Sequence, residues 1–514
     1  PDIWRPYFTN SPAVAFNTYQ QPGTPFNNGA LYNNSNQGAS GLLAATTNGY
    51  YYTFNVTENP AGAAPASDNF MEVLETSYNP VTISTVSQSP NGSNMLTSQS
   101  PTITITTSSA PSSGEYVYIR YATNISFTTS TLVSFSFTGT TGTAQIPVQI
   151  GGTTVYYYIL SSNKTSTQIS SDVSTYGQNA YDMATLNLKA LVESGSGNTN
   201  YSYTVTSNPV MVVSAGGTGS PSTTYTNLAN AITAINGGTV HTGTTTCYVN
   251  NGWTETTPTS GFSITAIGTS AAPITFIKSG TGTNPVFTAA TGLTAGSLTN
   301  AIFKLIGADY ITIDGFTMQE NASNNTTASG TNNMTEWGVA FLYSSATNGA
   351  QNNTIQNCNI SLNRSYANTF GIYSNTRHTA TNVGATADIT NVTGSNSNNK
   401  IYSNIITNVN IGTVFIGCGA NSAYQDVGND VGGIAVSTGN TFSNFGSSSN
   451  PSGFQSVAGR IMGIQFNHQQ GSNVSYNSFT TASITPVAST TLIYQNFGSI
   501  APTTGSFTNT ISYN

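Results

Sequence analysis

The sequence predicts an all-β protein in which sandwich domains precede a long coil of short parallel strands. Three observations carry this. Only 5% of the 514 residues are charged, against 37% hydrophobic, with 28 Tyr and 23 Phe, so the chain has the apolar and aromatic residues to build a core and few charges to solubilise it. β-branched and aromatic runs bounded by Gly, Pro, Ser or Asn recur along its length, which is the strand signal. In the second half a unit N-x-Φ-x-x-N-x-Φ (Φ apolar) repeats at irregular spacing.

The first half reads as strands in order. Tyr50–Val56, Thr102–Thr106, Tyr116–Tyr121 and Val155–Leu160 are β-branched or aromatic runs, while Ser134–Phe137 and Tyr201–Val205 alternate apolar and polar as half-buried strands do. Turn signals about every ten residues suggest sandwiches. One is expected within 1–95 and a second within 96–214. Helical periodicity is weak except near Tyr181–Val192. Tyr225–Asn236 then places Leu228, Ala231, Ile232 and Ile235 on one helical face, and Gly237-Gly238 ends it. A short helix before a coil of strands has a physical use, since the open apolar end of a solenoid needs a cap.

From 223 to 514 the repeat takes over. Its first apolar positions are Ile355, Ile401, Phe442, Val474 and Ile511. Between them stand glycine-led runs at Gly338–Phe341, Gly371–Tyr373, Gly433–Val436 and Gly463–Phe466. Two short strands separated by a corner are what each turn of such a coil requires. Asn at the corner tolerates left-handed backbone angles and hydrogen-bonds its equivalents above and below. In Ile302–Met318, Ile311 and Ile313 point inward before a turn at Asp314-Gly315.

These residues resemble the pectate-lyase-like right-handed parallel β-helix superfamily, over about 290 residues. Gly261–Gly280 followed by the Y-I-T-I-D-G-F block looks like its opening coils. The stretch around Tyr116–Asn163 resembles the immunoglobulin-like modules found beside carbohydrate-active domains. Together with the hydroxyl-rich composition, the set is similar to large surface proteins of gliding bacteria exported by type IX secretion. That resemblance implies an extracellular, cell-surface setting.

The chemistry is sparse. Ten Lys+Arg and a formal net charge of −7 argue against the basic stripe that nucleic acid requires. No apolar run approaches the ~18 residues of a membrane helix. Cys247, Cys358 and Cys418 lack metal-ligand spacing. The chain opens with Pro1 and shows no signal-peptide core, so it reads as processed or as a piece of a longer protein. It stops mid-pattern at Asn514, which suggests either continuation or self-assembly. Carboxylate pairs for hydrolysis are missing. Arg377, His378 and Lys400 form the one cluster suited to lyase chemistry, which needs a base and a cation to neutralise the substrate. Asp426 and Asp430 form the one carboxylate pair suited to a cation. Tyr156, Tyr157 and Tyr158 would offer a sugar-stacking platform. For each of these a structural role is the stronger expectation, and no cofactor is implied. The reading is a secreted structural or adhesive surface protein, with further copies of itself or surface glycans as partners and with a filament as one form of assembly. The alternatives are a carbohydrate-binding surface protein and, behind it, a polysaccharide lyase or hydrolase.

Overall fold

The computed structural model describes residues 78–514 apart from 179, 182–183, 192–198, 329, 385–386, 448, 450, 453, 455–460, 482–489 and 497–508, together with the backbone of several strands before residue 78. Most of the turn-rich segment Pro1–Gly49, and Arg460, lie outside the described residues. The chain is predominantly β, with parallel sheets. It divides into two compact units, Pro1–Ser207 and Asn208–Asn514.

In the first unit, Asn69–Thr76 pairs antiparallel with both Ala30–Asn33 and Tyr51–Glu58. Further on, Ile83–Ser89, Thr102–Thr107, Thr141–Gln145 and Ser136–Thr138 form one antiparallel sheet. A second sheet is built around Tyr116–Ala122, Thr154–Ser162 and Tyr201–Thr206. Thr102–Thr107 reads TITITT and buries Ile103 and Ile105. These meet Ile119, Val155, Tyr157 and Val205 of the other sheet in one apolar core. The strands Ile83–Ser89 and Asn94–Leu96 complete these sheets, so the fold reaches back beyond the expected boundary at 96. A helix runs over Ser166–Tyr176, ahead of the expected stretch Tyr181–Val192, in which Asn187–Lys189 is a strand paired with Thr154–Ser162. Periodicity missed it because only Ile169 and Val173 pack inward. The helix is specified instead by a capping box between Thr165 and Gln168.

In the second unit the chain visits three sheets in rotation, with Asp426–Val427 and Gln469–Gln470 paired in a separate two-stranded sheet between sheets C and A in two of the turns. Sheet A contains Thr242–Val249, Ile274–Lys278, Ile311–Asp314, Thr354–Gln356, Lys400–Tyr402, Asp430–Val431, Asn473–Ser475 and Thr510–Ser512. Sheet B runs from Thr254–Thr256 through Val286–Thr288, Thr317–Gln319, Asn359–Ser361, Ile405–Thr407 and Thr441–Phe445 to Ser478–Thr481. Sheet C runs from Phe262–Ile264 through Ala301–Ile306, Trp337–Leu342, Phe370–Asn375, Ile411–Ile416 and Ile461–Asn467 to Thr490–Asn496. Within each series neighbouring strands are parallel. Val210–Gly216 and Ser222–Tyr225 extend sheet A antiparallel at its first edge.

The rotation stacks like on like. Sheet A aligns Phe276, Ile313, Ile355, Ile401, Val431 and Val474. Sheet B aligns Phe287, Met318, Ile360, Ile406, Phe442 and Phe479. Phe442 therefore belongs to the second apolar position of the repeat, not the first. An excursion between Val431 and Thr441 displaces it, and Val431 takes its place in sheet A. The run Gly433–Val436 is not a strand either. It lies in that excursion with Ile434 87% and Val436 82% exposed, while Ile411–Ile416 supplies the sheet C strand.

Glycine leads the sheet C strands for reasons of space. A Cβ on Gly371 would stand 2.4 Å from Ile406 Cγ2, and one on Gly412 would stand 2.3 Å from Gly463 O and 2.5 Å from Phe442 Cδ1. The glycine column is thus the seat on which the sheet B side chains rest. Sheet C buries its outer face as well, where Trp337, Phe370, Tyr373, Val414 and Met462 form a second cluster beneath Ala380, Val383 and Phe454. Burial on both faces is why WGVAFL and IGTVFI read as continuous apolar runs.

The expected helix is Leu228–Asn236, burying Leu228, Ala231, Ile232 and Ile235 in the same core as Val210, Cys247 and Phe262. Glu255, the first residue of the inward sheet B column, accepts Leu228 N at 2.8 Å and Ala229 N at 3.2 Å. It thereby satisfies helix N-terminal donors that are otherwise orphaned.

Candidate functional site

Arg377, His378 and Lys400 do not assemble. His378 follows the sheet C strand Phe370–Asn375 and is fully buried. Asn375 Nδ2 donates to the Tyr373 hydroxyl at 3.2 Å, and that hydroxyl meets His378 Nδ1. The ring lies among Tyr373 and Phe454, with Trp337 stacked on Tyr373 at 4.9 Å. Burial, and then the Arg377 charge, push the His378 pKa down to about 3, so the ring is neutral and cannot serve as a cation. Lys400 stands exposed on sheet A between Thr354 and Asp430. Nothing in the sequence marked which loop would fold over sheet C, and that decides the burial of His378.

The titratable groups that do gather lie on and beside the outer face of sheet C. Lys304 is buried, and its Nζ donates to Ala380 O at 3.3 Å. Burial lowers its pKa to about 8, opposed by the charge of Glu336. Glu336 is fully buried, and its carboxyl accepts Asn300 N at 2.8 Å and Tyr366 OH at 2.8 Å. Burial raises its pKa well above the carboxylate range. Each polar group here ties one segment of chain to the next beneath covering loops.

Asp426 and Asp430 are held apart by separate donors. Asp430 accepts from Tyr402 OH at 2.6 Å, Gly433 N at 2.9 Å and Asn473 Nδ2 at 2.8 Å. Asp426 is fully buried and accepts from Asn396 N at 2.8 Å and Gln469 Nε2 at 3.0 Å. Among the described residues no group of three or more His, Cys, Asp or Glu is placed to hold a metal.

The tyrosine platform is likewise internal. Successive residues of Thr154–Ser162 face opposite sides, so Tyr157 enters the core between the sheets and Tyr158 the cluster under the helix. Tyr156 is half-buried against that second cluster. The Tyr158 hydroxyl accepts from the Arg120 guanidinium.

The most regular polar feature is a pair of amide ladders at the corners. Cys358 N donates to Asn404 Oδ1 at 3.0 Å, Asn404 N to Asn440 Oδ1 at 3.0 Å, Asn440 N to Asn477 Oδ1 at 3.2 Å and Asn477 N to Asn514 Oδ1 at 3.0 Å. The Nδ2 groups of Asn404, Asn440 and Asn477 bond the carbonyls of Ile355, Ile401 and Val431 at 2.8–2.9 Å. Asn353, Asn399 and Asn429 make the equivalent ladder at the entry to sheet A. At these rungs the left-handed backbone falls on the residue before: Asn357 before Cys358, Ser403 before Asn404 and Tyr476 before Asn477 at one corner, and Asn352 before Asn353 and Asn398 before Asn399 at the other. The two tasks expected of one asparagine are therefore divided between neighbours. Cys358 occupies a ladder position with its Sγ 3.8 Å from Ile313 O, and burial pushes its thiol up to about 12, so it packs rather than reacts.

No protein-family model, curated protein or solved structure matches the chain.

Proposed function

We propose that the chain is a secreted structural or adhesive surface protein, built on a right-handed parallel β-helix that the helix Leu228–Asn236 caps, with immunoglobulin-like sandwiches before it. The reading keeps the resemblance to pectate-lyase-like β-helices and to type IX-exported surface proteins. In the native setting the protein displays a hydroxyl- and amide-rich face at the bacterial cell surface and serves as a subunit of an extracellular filament. The observation that carries this is the use made of polar chemistry: the corner amides and the buried Lys304, Glu336 and His378 hold turns and loops together. The three-sheet rotation supports the β-helix, and the scarcity of charge lowers like-charge repulsion between neighbouring copies.

The test is incubation with pectin, alginate and related polymers, read by unsaturated-product absorbance and reducing ends. No product is expected. Release of product that Arg377→Ala or Lys400→Ala abolishes would replace this reading with a lyase.

A further inference from the structure

We propose that Asp426 is a proton-operated latch between sheets C and A: protonated, it accepts from Asn396 and Gln469 without burying a charge, and on ionisation it releases the excursion 418–427 to water. This goes beyond the structural reading above and does not depend on it.

The argument begins with position. Ala350 N donates to Asn396 Oδ1 at 2.9 Å, and Asn396 N donates to Asp426 Oδ1 at 2.8 Å. Asp426 thus occupies the rung that an asparagine fills in the ladders nearby. Gln469 Nε2 donates to the other oxygen at 3.0 Å. The orientation of that amide is fixed, because Gln469 Oε1 accepts Asn429 Nδ2 at 2.8 Å. Asn429 in turn accepts Asn399 N at 2.9 Å and donates to Asn396 O at 2.9 Å. The carboxyl is therefore wired into the sheet A corner ladder.

An ionised carboxylate has about four acceptor sites. Two neutral donors in a fully buried position leave it under-solvated. The groups around it do not compensate. Asp388, from the loop after Asn375, adds a like charge while accepting Thr376 Oγ1 and Gly419 N, each at 2.9 Å. Cys418 is buried beside Asp388, and its thiol is pushed up to about 11. His468 packs on the same glycine segment, Gly417–Gly419. Asp430 is occupied on sheet A by its own donors. Consistent with this geometry, burial raises the Asp426 pKa to about 7.

The element that gives way is short. Asp426–Val427 pairs only with Gln469–Gln470, and Ser422–Tyr424 is a single 3-10 turn. Its tethers include Gln470 Nε2 to Ser422 O at 2.8 Å, Val427 N to Ser397 Oγ at 2.9 Å, Asn398 N to Val427 O at 2.8 Å and Gly419 N to Asp388 at 2.9 Å. On opening, the proton goes to solvent and water supplies the missing donors.

The experiment is amide hydrogen exchange at Asn396 and Val427 across pH 5–9, corrected for intrinsic base catalysis, on the whole chain. With the open carboxyl at its ordinary value of 3.8 and the closed one at about 7, protection is expected to fall by up to about tenfold per pH unit from pH 5 to about 7 and to level off above it. Asp426→Asn removes the pH dependence. Asp388→Asn, which leaves the rung intact, removes the like charge and is expected to end the fall at a lower pH. Flat protection in the native chain, or a profile that neither variant alters, overturns it. If Asp426→Asn does not fold, the Asp388→Asn profile decides alone.

Discussion

At the residue scale, the ladder asparagines should be the least replaceable polar groups of the second unit. Asn440 accepts from Asn404 N and donates to Ile401 O and Asn477 Oδ1. Asn440→Ala leaves those buried groups unpaired and is expected to cost about 2–4 kcal/mol in urea unfolding. His378 sets a pH dependence. Its folded pKa of about 3 lies below the ordinary value of 6.5, so the unfolded chain binds a proton that the folded chain refuses. The stability it contributes is present above pH 6.5 and is lost as pH falls towards 3. Thermal melts from pH 7 to 3 should decline, and His378→Phe should flatten part of that decline. Sequence reading reached the asparagines because they repeat. It named His378 as a lyase candidate but reached neither its burial nor that of Lys304, because burial beneath a loop leaves no periodic mark.

At the element scale, the glycine column of sheet C is a strict requirement. Gly412→Val would drive its side chain into Gly463 O and Phe442, overpacking that costs about 1–3 kcal/mol or more. Loss of the native melting transition, or a large drop in it, is expected by circular dichroism. The helix Leu228–Asn236 was legible as a 3.6-residue pattern with its four buried residues correctly named. Its Glu255 cap was not, because that carboxylate comes from the next strand pair. Glu255→Ala should destabilise by about 1–2 kcal/mol through loss of the helix N-terminal bonds. The repeat gave the sheet A and sheet B strands where the corner between them is short, as at Ile355/Ile360 and Ile401/Ile406. It failed where an excursion separates Val431 from Phe442, since loop length is invisible to a fixed template.

At the scale of the whole molecule, the account rests on stacked apolar columns. Burying each of Ile355, Ile401 and Val474 contributes about 1.5–3 kcal/mol. Ile401→Asp places an unpaired carboxylate in the sheet A column and should abolish folding of the second unit. The first unit has its own core, so limited proteolysis of this variant should still leave a protected fragment from before Ser207. The most direct test of the three-sheet rotation is a set of spin-label distances along sheet B, with the three buried cysteines left unlabelled. Thr288, Gln319, Ser361, Thr407 and Ser443 are in register on successive strands. Labels at Thr288 paired in turn with Ser361, Thr407 and Ser443 should separate by about 4.8 Å for each added strand. Distances that do not grow steadily with strand number would contradict the parallel stack on which the account depends.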